Sequence, residues 1–411
     1  MRRLLTLFLI ASPMWALAQA NCAVNSVGFT PISDMGAALY DGYDGGLYGG
    51  GSNAMPQAHL DAGMALAYAV QPLDANGDPD PLDGRIGWLS IGMSNTQQES
   101  QAFINLVEGD AAVNPAVTFV NGAVGGQTAQ VISAPWHPGY QNYWSTVDDR
   151  LQQAGIAAAQ VQVIWLKEAN QANNQPLQTY RDSLYIQTKR IMHELNARFP
   201  NARLCYMASR IYGGYSTGPL NPEPYAYNQG FIMRQVILDQ INGDEDLAFA
   251  GTEAASPWMA WGAYLWADGT SPRSDGLTWD CPDDFANDGV HPSNTGREKV
   301  AGLLFDFFSN EPTACPWFLA TCETRAETVS PSGLRCFPNP AADHVRIEGL
   351  DPSTTVIQLL DATGRVLQSM RAAAPQATID LSGLPNGLYQ LSIQDRDARS
   401  LGSLRFVKQS H

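Results

Sequence analysis

Short apolar runs alternate with segments of helical period between residues 85 and 310, and this alternation limits the fold more than any other feature. The runs lie at residues 86–91, 117–120, 161–166, 204–208 and 247–250. Each is long enough for one buried strand, and the intervening segments are long enough for helices. Fully apolar strands separated by helices are typical of a parallel sheet covered on both faces. We therefore predict a doubly wound α/β domain.

Two segments of this region carry clear helical patterns. In the first, apolar or nearly apolar residues recur at intervals of three and four until Pro200 stops the pattern; they are Leu177, Tyr180, Leu184, Thr188, Ile191, Leu195 and Phe199. This spacing predicts a helix that buries one face. The second predicted helix runs from residue 296 to 308 and buries Val300, Leu303, Leu304 and Phe307.

The pattern changes at Cys336. Before it, residues 313–335 carry proline, serine and glycine together with Cys315 and Cys322, which predicts a linker closed by a disulfide between these neighbouring cysteines. After it, short runs of period two are separated by turn residues; they lie at 344–347, 356–360, 365–367, 377–381, 388–393 and 404–407. Strands at such spacing predict a small all-β sandwich over residues 336–411.

The N-terminus has the pattern of an export signal. Arg2 and Arg3 precede an apolar run, and Ala18-Gln19-Ala20 forms a small-x-small cleavage site. This predicts a signal peptide at residues 1–20 and an α/β domain at 21–312. Export leads through the periplasm, an oxidising compartment, where the six cysteines of the chain are expected to form disulfides. Beyond Cys315 and Cys322, their pairing stays open.

Charge and composition exclude several classes of protein. The net charge of −16 repels nucleic acid, and 45% hydrophobic against 16% charged residues indicates a folded chain. No later run reaches the roughly 18 apolar residues of a transmembrane helix. No Cys-x-x-Cys pair or histidine cluster indicates zinc, and we expect no cofactor. The acidic run from Asp74 to Asp80 is interpreted as a turn, with calcium left open.

A serine lies where the first predicted strand ends. Gly92 follows this strand, and Ser94 comes two residues later, before a polar segment that predicts a helix. One interpretation is structural: Ser94 or Thr96 caps this helix. The other is catalytic, because ligands of open α/β sheets bind beyond the carboxyl ends of strands, where a helix N-terminus can stabilise an oxyanion.

A serine nucleophile needs a base, and the candidate is His291, which lies in a loop just before the last predicted helix of the α/β region. Asp288 stands three residues earlier in a tight loop, from which it can reach the imidazole and orient it. The alternative is an ordinary loop whose polar groups are satisfied locally. His59 and His137 also lie in predicted loops, but no neighbour there would orient them.

Two further strand ends carry groups that can hold a negative charge. A turn containing Gly125 and Gly126 follows the second strand, and backbone N–H groups of such a turn can approach a substrate closely. Asn170 follows the third strand and could direct its amide N–H to the same place. The structural alternatives are a plain glycine turn and a loop-capping asparagine.

The serine, the glycine turn, the asparagine and the Asp288–His291 pair follow one another along the chain in this order. The ordered set resembles the SGNH (GDSL-like) hydrolase superfamily over residues 85–305. The resemblance implies a flavodoxin-like, three-layer α/β/α fold. It implies a nucleophile, two oxyanion-binding groups and an acid–base pair at Ser94, at Gly126 and Asn170, and at Asp288 and His291. Two positions depart from the family pattern: Met93 stands where aspartate is usual, and residues 167–170 replace a glycine-rich block.

Polar and aromatic residues near the later strand ends suggest a place for substrate. They are Arg210, Tyr212, Asn221 and Trp258, the last in a stretch rich in tryptophan. Aromatic rings with polar neighbours are typical of a carbohydrate-binding rim. The structural alternative is that these residues fill the space beneath a long loop.

The C-terminal region resembles a known sorting domain. The segments FPNPA at 337–341, LDATGR at 360–365 and LPNGLY at 384–389 are similar to the C-terminal (type A) sorting domain of the type IX secretion system of Bacteroidota-like bacteria. The resemblance implies that residues 336–411 engage the type IX machinery. It also implies surface attachment or release of the protein after outer-membrane export. An ordinary sandwich used for binding is the alternative.

Taken together, these features predict a secreted or surface-bound serine esterase. Ser94, His291 and Asp288 would hydrolyse carboxylic esters through an acyl-enzyme, without metal or cofactor. Substrates are expected to be acyl groups, such as acetyl, on extracellular carbohydrate. The alternative is a non-catalytic module that binds glycan on the same scaffold, and Met93 together with the altered segment 167–170 favours it somewhat.

Overall fold

The computed structural model describes residues 19–172, 175–322, 335–339, 341–350, 356–361, 365–371, 375–394 and 400–409. The predicted signal peptide falls outside these residues up to residue 18, and part of the predicted linker also falls outside them. Contacts divide the chain into two units. The first takes up most of the chain as far as Phe305, and the second contains Leu60–Gln71, Gly109–Val117 and the chain from Asp306 onward.

The first unit contains the α/β sheet. A short hairpin comes first, with strands Leu39–Tyr40 (β1) and Tyr43–Asp44 (β2). The strands of the main sheet follow, and they are Ile86–Gly92 (β3), Val117–Asn121 (β4), Val161–Lys167 (β5), Leu204–Met207 (β6) and Trp258–Trp261 (β7). The five strands lie in the order β4–β3–β5–β6–β7.

Helices alternate with these strands along the chain. They are Gln57–Ala69 (α1), Ser94–Val107 (α2), Ala129–Ile132 (α3), Tyr140–Gln153 (α4), Leu177–Arg198 (α5), Tyr225–Ile241 (α6) and Asn294–Asn310 (α7). The two helices predicted at residues 177–199 and 296–308 are thus confirmed as α5 and α7. The doubly wound α/β fold is confirmed as well, because β3, β5, β6 and β7 pair in parallel.

The strand order places a crevice at the carboxyl end of β3. The chain passes from β3 outward to β4 and then crosses to β5 on the other side of β3. Such a reversal opens a crevice beyond the strand ends, where open α/β sheets bind ligands. Every residue of β3 and β5 is buried. The two strands end side by side, with Gly92 paired to Lys167.

One predicted strand is wrong. Residues 247–250 do not join the sheet, and the fifth strand is Trp258–Trp261. The Asp244 side chain accepts a hydrogen bond from the Asp246 N–H, which starts a 3₁₀ turn that ends at Leu247. The carbonyl of Leu247 then accepts side-chain bonds from Gln240 and Ser256. The run was too short for its apolar composition to distinguish a buried turn from a strand.

The second unit contains the C-terminal sheets. A short helix at Cys315–Phe318 (α8) is followed by strands Arg335–Phe337 (β8), His344–Glu348 (β9), Val356–Asp361 (β10), Val366–Arg371 (β11), Gln376–Asp380 (β12), Gly387–Gln394 (β13) and Ser400–Lys408 (β14). They form antiparallel sheets of order β11–β10–β13–β14 and β12–β9–β8. Alternate residues of these strands share one apolar core, which includes Val345, Ile357, Ile379, Leu391 and Phe406. The predicted all-β region is confirmed.

Two disulfides join four of the six cysteines, all of which lie among the described residues. Cys315 is bonded to Cys322, as predicted, and Cys22 is bonded to Cys281, a pairing that the sequence left open. Cys205 is a buried thiol in β6. None of the described helices is both long and apolar enough to cross a bilayer.

Candidate active site

Ser94, His291 and Asp288 form a continuous hydrogen-bonded chain. Ser94 Oγ lies 2.8 Å from His291 Nε2, and His291 Nδ1 lies 2.5 Å from Asp288 Oδ2. With the ring proton on Nδ1, the imidazole donates to Asp288 and accepts from the Ser94 hydroxyl. The structure therefore brings together residues that stand 197 positions apart in the chain. A carboxylate that orients a base, next to a hydroxyl, is the arrangement that activates a serine nucleophile.

The loop that holds His291 is built around the Asp288 carboxylate. Asp288 Oδ1 accepts the backbone N–H groups of Val290 and His291, each at 3.0 Å. Gly289 adopts φ +65°, and a Cβ at this position would lie 2.4 Å from the Tyr215 carbonyl oxygen, so the turn requires glycine. The carbonyl of Val290 accepts the Asn95 side-chain amide at 3.0 Å. This last bond connects the loop directly to the first turn of α2.

These hydrogen bonds also determine the charge of the carboxylate. Burial opposes ionisation of Asp288, but the bonds from the His291 ring, the His291 N–H and the Val290 N–H outweigh it and lower its pKa below the usual value. Asp288 is therefore an anion at neutral pH, as a group that orients an imidazole and stabilises an imidazolium must be.

Ser94 is the first residue of α2, but its side chain does not cap the helix. The capping position is Met93, whose side chain makes no capping bond. The other predicted cap, Thr96, donates its hydroxyl to the Lys167 carbonyl at 2.6 Å. Both capping interpretations are thus wrong, because each hydroxyl has a partner outside the helix. The first N–H groups of α2 have no acceptors within the helix, and a helix N-terminus favours negative charge.

Close contact between the ends of β3 and β5 positions the start of α2. A Cβ on Gly92 would lie 2.2 Å from the Lys167 carbonyl oxygen and 2.4 Å from Thr96 Oγ1. No residue other than glycine fits there without moving one of these elements. Met93, which stands at the position where the resembled family has aspartate, is buried. The Met93 side chain therefore packs inside the protein at this position.

A buried ion pair that was not predicted from the sequence lies beneath this junction. Both carboxylate oxygens of Glu99 in α2 lie 2.6 Å from Lys167 Nζ at the end of β5, and both side chains are fully buried. Burial lowers the pKa of Lys167 to about 8, although Glu99 opposes the shift. The available signal was a lysine at the end of an otherwise apolar strand, since a buried lysine needs a carboxylate partner.

Gly125 lies closer to the nucleophile than the sequence analysis expected. A Cβ on Gly125 would lie 3.6 Å from Ser94 Cβ, whereas a Cβ on Gly126 would meet nothing within 4 Å. The Gly125 N–H donates to Gln97 Oε1 at 3.1 Å, and Gly126 adopts φ +77°. The glycine turn therefore faces Ser94, and the assignment of Gly126 as the oxyanion donor remains a prediction. The sequence offered no signal to choose between two adjacent glycines.

Asn170 has partners of its own. Its Oδ1 accepts the Gln130 N–H in the first turn of α3 at 3.0 Å, and its Nδ2 donates to Gln187 Oε1 at 2.5 Å. This is the loop-capping role that the sequence analysis gave as the alternative. Among the described residues, no hydrogen bond joins Asn170 to Ser94. Its proposed oxyanion role remains a prediction that requires the amide to leave Gln187.

The predicted carbohydrate-binding rim needs correction, because its residues lie inside the protein. Trp258 is fully buried in β7, stacks on His59 and donates its indole N–H to the His59 carbonyl. Tyr212 donates its hydroxyl to the Val24 carbonyl. Asn221, which is also buried, accepts a bond from the Tyr180 hydroxyl. The alternative interpretation is correct here: these side chains fill the space beneath loops.

Arg210 belongs to a buried charged cluster. It is 4% exposed, and burial lowers the pKa of its guanidinium. Four neighbouring groups oppose this shift and favour the charged form; they are Glu99, Tyr180, Glu168 and Glu223. Burial also raises the pKa of Glu168 well above its usual value and that of Glu223 to about 7. Arg210 therefore offsets buried carboxylates beneath the crevice and does not form part of an exposed rim.

The remaining candidate side chains are engaged elsewhere. His59 Nε2 pairs with the Met259 carbonyl, and His137 Nδ1 accepts the Gly139 N–H. Asp74 accepts the backbone N–H groups of Asn76 and Asp78 and so closes its own turn. Across the described part of the chain, no cluster of three or more histidine, cysteine, aspartate or glutamate side chains could hold a metal ion.

Comparison with known proteins gives weak overall likenesses. No curated protein matches the chain. A gut microbial diltiazem-metabolizing enzyme is 13% identical over 79% of this chain and 71% of its own, with a TM-score of 0.33. An extracellular lipase from Streptomyces rimosus is 12% identical over 54% and 99%, with a TM-score of 0.28. The α/β fold therefore rests on the strand pairings of this chain.

The C-terminal region gives a specific match. The chain aligns over 24% of its length with only 14% of a type IX secretion surface component from Porphyromonas gingivalis, at 19% identity and a TM-score of 0.18. The family model of the secretion system C-terminal sorting domain, in contrast, matches residues 335–404. The resemblance seen in the sequence is confirmed. Residues 335–404 are a secretion system C-terminal sorting domain, which indicates export to the cell surface or the medium.

Proposed function

We propose that this protein is an exported serine esterase that hydrolyses carboxylic esters. The observation that carries the proposal is the hydrogen-bonded chain from Ser94 Oγ through His291 to Asp288. The sorting domain at residues 335–404 supports a site of action outside the cell. Acyl groups, such as acetyl, on extracellular carbohydrate are the substrates that we propose.

The first half of the reaction forms an acyl-enzyme. Ser94 Oγ attacks the ester carbonyl carbon while His291 Nε2 takes the hydroxyl proton, and the carbonyl oxygen becomes an oxyanion. The N–H groups at the start of α2 support that charge, together with the Gly126 N–H of the glycine turn. The intermediate then collapses. The bond to the alcohol oxygen breaks, and His291 gives its proton to the departing alcohol.

The second half releases the acid. Water attacks the acyl-enzyme carbonyl carbon while His291 Nε2 takes a proton from it. Collapse of this second intermediate breaks the bond to Ser94 Oγ, which regains its proton from His291, and the carboxylic acid leaves. Asp288 stays ionised throughout and holds the imidazole in place.

The test is chemical labelling combined with a serine variant. A fluorophosphonate should add to Ser94, as a mass shift on its peptide, and Ser94→Ala should lower 4-nitrophenyl acetate hydrolysis by about 10³-fold or more. Ser100→Ala is the matched control, because Ser100 lies on the same helix and its hydroxyl only donates to the Thr96 carbonyl. A fully active Ser94→Ala variant would contradict the mechanism. A folded protein without label or activity would favour the glycan-binding alternative.

A further inference from the structure

A groove with a volume of about 730 Å³ lies between α2 and α7. This volume is within the range of about 300–1,000 Å³ that small-ligand sites occupy. Both helices start beside the proposed catalytic residues. Ser94 is the first residue of α2, and α7 begins at Asn294, three residues after His291.

One groove residue reaches the immediate surroundings of Ser94. Gln97 lines the groove, and its Oε1 accepts the Gly125 N–H at 3.1 Å. A Cβ on Gly125 would lie 3.6 Å from both Gln97 Oε1 and Ser94 Cβ. The groove therefore begins next to the nucleophile.

The polar lining of the groove consists mainly of side-chain amides. Six of its eleven lining residues are carboxamides: Gln97, Gln98, Gln101, Asn105, Asn121 and Asn294. A carboxamide carries both N–H donors and an oxygen acceptor, which complements the combined donor and acceptor character of a hydroxyl group. Some of these groups already have partners in the protein: Gln97 Oε1 accepts the Gly125 N–H, and Gln101 Nε2 donates to Asn105 Oδ1. Asn121 Nδ2 donates to the Gln97 carbonyl. Gln98 Oε1 is buried without a hydrogen-bond partner in the described residues. The groove thus offers donors and acceptors together at one surface.

The groove has no formal net charge, although the chain as a whole carries −16. Its ionisable residues are Arg297 and Glu298, one of each sign. Ala102, Leu106 and Ala301 supply small apolar surfaces between the amides. Alternating amide and apolar surfaces suit a sugar, whose rings present hydroxyl groups and C–H faces. The walls of the groove are mainly helical, since every lining residue except Asn121 of β4 lies on α2 or α7.

We propose that this groove binds the alcohol part of the ester substrate and that this part is an uncharged oligosaccharide. The inference rests on the esterase function proposed above. An acyl group held at Ser94 would leave the sugar chain to continue along α2 past Gln97, Gln101 and Asn105. The amides would then contact hydroxyl groups of successive sugar residues.

The test compares two kinds of substrate in the full chain. Gln101→Trp and Asn105→Trp place a bulky ring in the groove at exposed positions of α2. We expect KM for acetylated xylo-, manno- or cello-oligosaccharides to rise about tenfold, the effect of about 1.4 kcal/mol of lost binding. Hydrolysis of 4-nitrophenyl acetate should stay unchanged. Gln152→Trp, at an exposed position on α4 outside the groove, is the matched control.

The outcomes separate this proposal from the esterase function. Absence of both fluorophosphonate labelling and aryl-ester hydrolysis would overturn the function itself. An active aryl esterase would overturn only the groove proposal if it leaves all the acetylated oligosaccharides intact or if the tryptophan variants leave KM unchanged. A variant-sensitive preference for an O-acetylated peptide would also overturn it, because the groove would then be a peptide site.

Discussion

The Ser94 hydroxyl is available for proton transfer because no group of its own helix uses it. Ser94 starts α2 without capping it, and the hydrogen bond of its side chain goes to His291. The same backbone that directs Oγ into the crevice leaves the first N–H groups of α2 without intrahelical partners. The proposed nucleophile and the groups that would stabilise its product thus arise from a single helix start.

At the same scale, Asp288 should matter through orientation of the ring. Asp288→Asn keeps the shape of the side chain but removes the charge that fixes the imidazole proton on Nδ1. We expect kcat for 4-nitrophenyl acetate to fall by about 10³- to 10⁴-fold with little change in the circular dichroism spectrum. Asp283→Asn, an exposed change in the neighbouring loop, is the control. Equal activity of Asp288→Asn and the wild type would exclude this role.

The acid side of the pH–rate profile should belong to histidine. A protonated imidazole cannot take the Ser94 proton, and histidine is the side chain whose ordinary pKa lies between about pH 5 and 8. Asp288 cannot cause a fall in this window, since its lowered pKa keeps it ionised until the pH drops below its ordinary value of 3.8. Activity should therefore decrease as pH falls from 8 to 5, measured as kcat at constant ionic strength. A flat profile would argue against a histidine base.

At the scale of elements, the junction of α2 and β5 depends on one buried charge pair. Lys167→Met would leave the Glu99 carboxylate buried without its cation, which typically costs about 3–5 kcal/mol in the free energy of unfolding. The double variant Lys167→Met/Glu99→Leu removes both charges and should recover most of that loss. Urea denaturation measures the free energy of unfolding of the single and the double variant. If the single and double variants were equally destabilised, packing rather than charge would be the cause.

At the scale of the whole molecule, the described N-terminal segment is attached to the α/β unit by covalent and polar contacts. Cys22 is bonded to Cys281 across 259 residues, and the Asp268 carboxylate accepts bonds from Ser26, Val27 and Gly28. The Asn21 N–H also donates to the carbonyl of Tyr215, which lies against Gly289 in the loop of Asp288. The segment thus supports the loop that carries the proposed acid–base pair.

Removal of this disulfide should therefore lower the stability of the fold, while the folded protein keeps its activity. The variant Cys22→Ser/Cys281→Ser should lower the free energy of unfolding by about 2–5 kcal/mol, because the crosslink restricts the unfolded chain. Activity at low temperature should persist, since the triad itself is unchanged. Thermal unfolding followed by residual esterase activity measures both effects. Removal of the Cys315–Cys322 disulfide, whose cysteines are seven positions apart, is the control. We expect a smaller loss in the free energy of unfolding there, because the loop that this disulfide closes is short.

Local patterns in the sequence determined the strands β3 to β6, the helices α5 and α7, and the β strands of the tail, because periodicity reflects burial on one or two faces. They also placed Ser94, Asp288 and His291 as candidates in the right order along the chain. Only the tertiary structure decided that Ser94 contacts His291 rather than capping α2, that Gly125 faces the nucleophile, and that Trp258 is buried in β7. Those outcomes depend on pairings between distant segments, such as Gly92 with Lys167 and Glu99 with Lys167. Such pairings follow from strand order and burial, which leave no local period in the sequence.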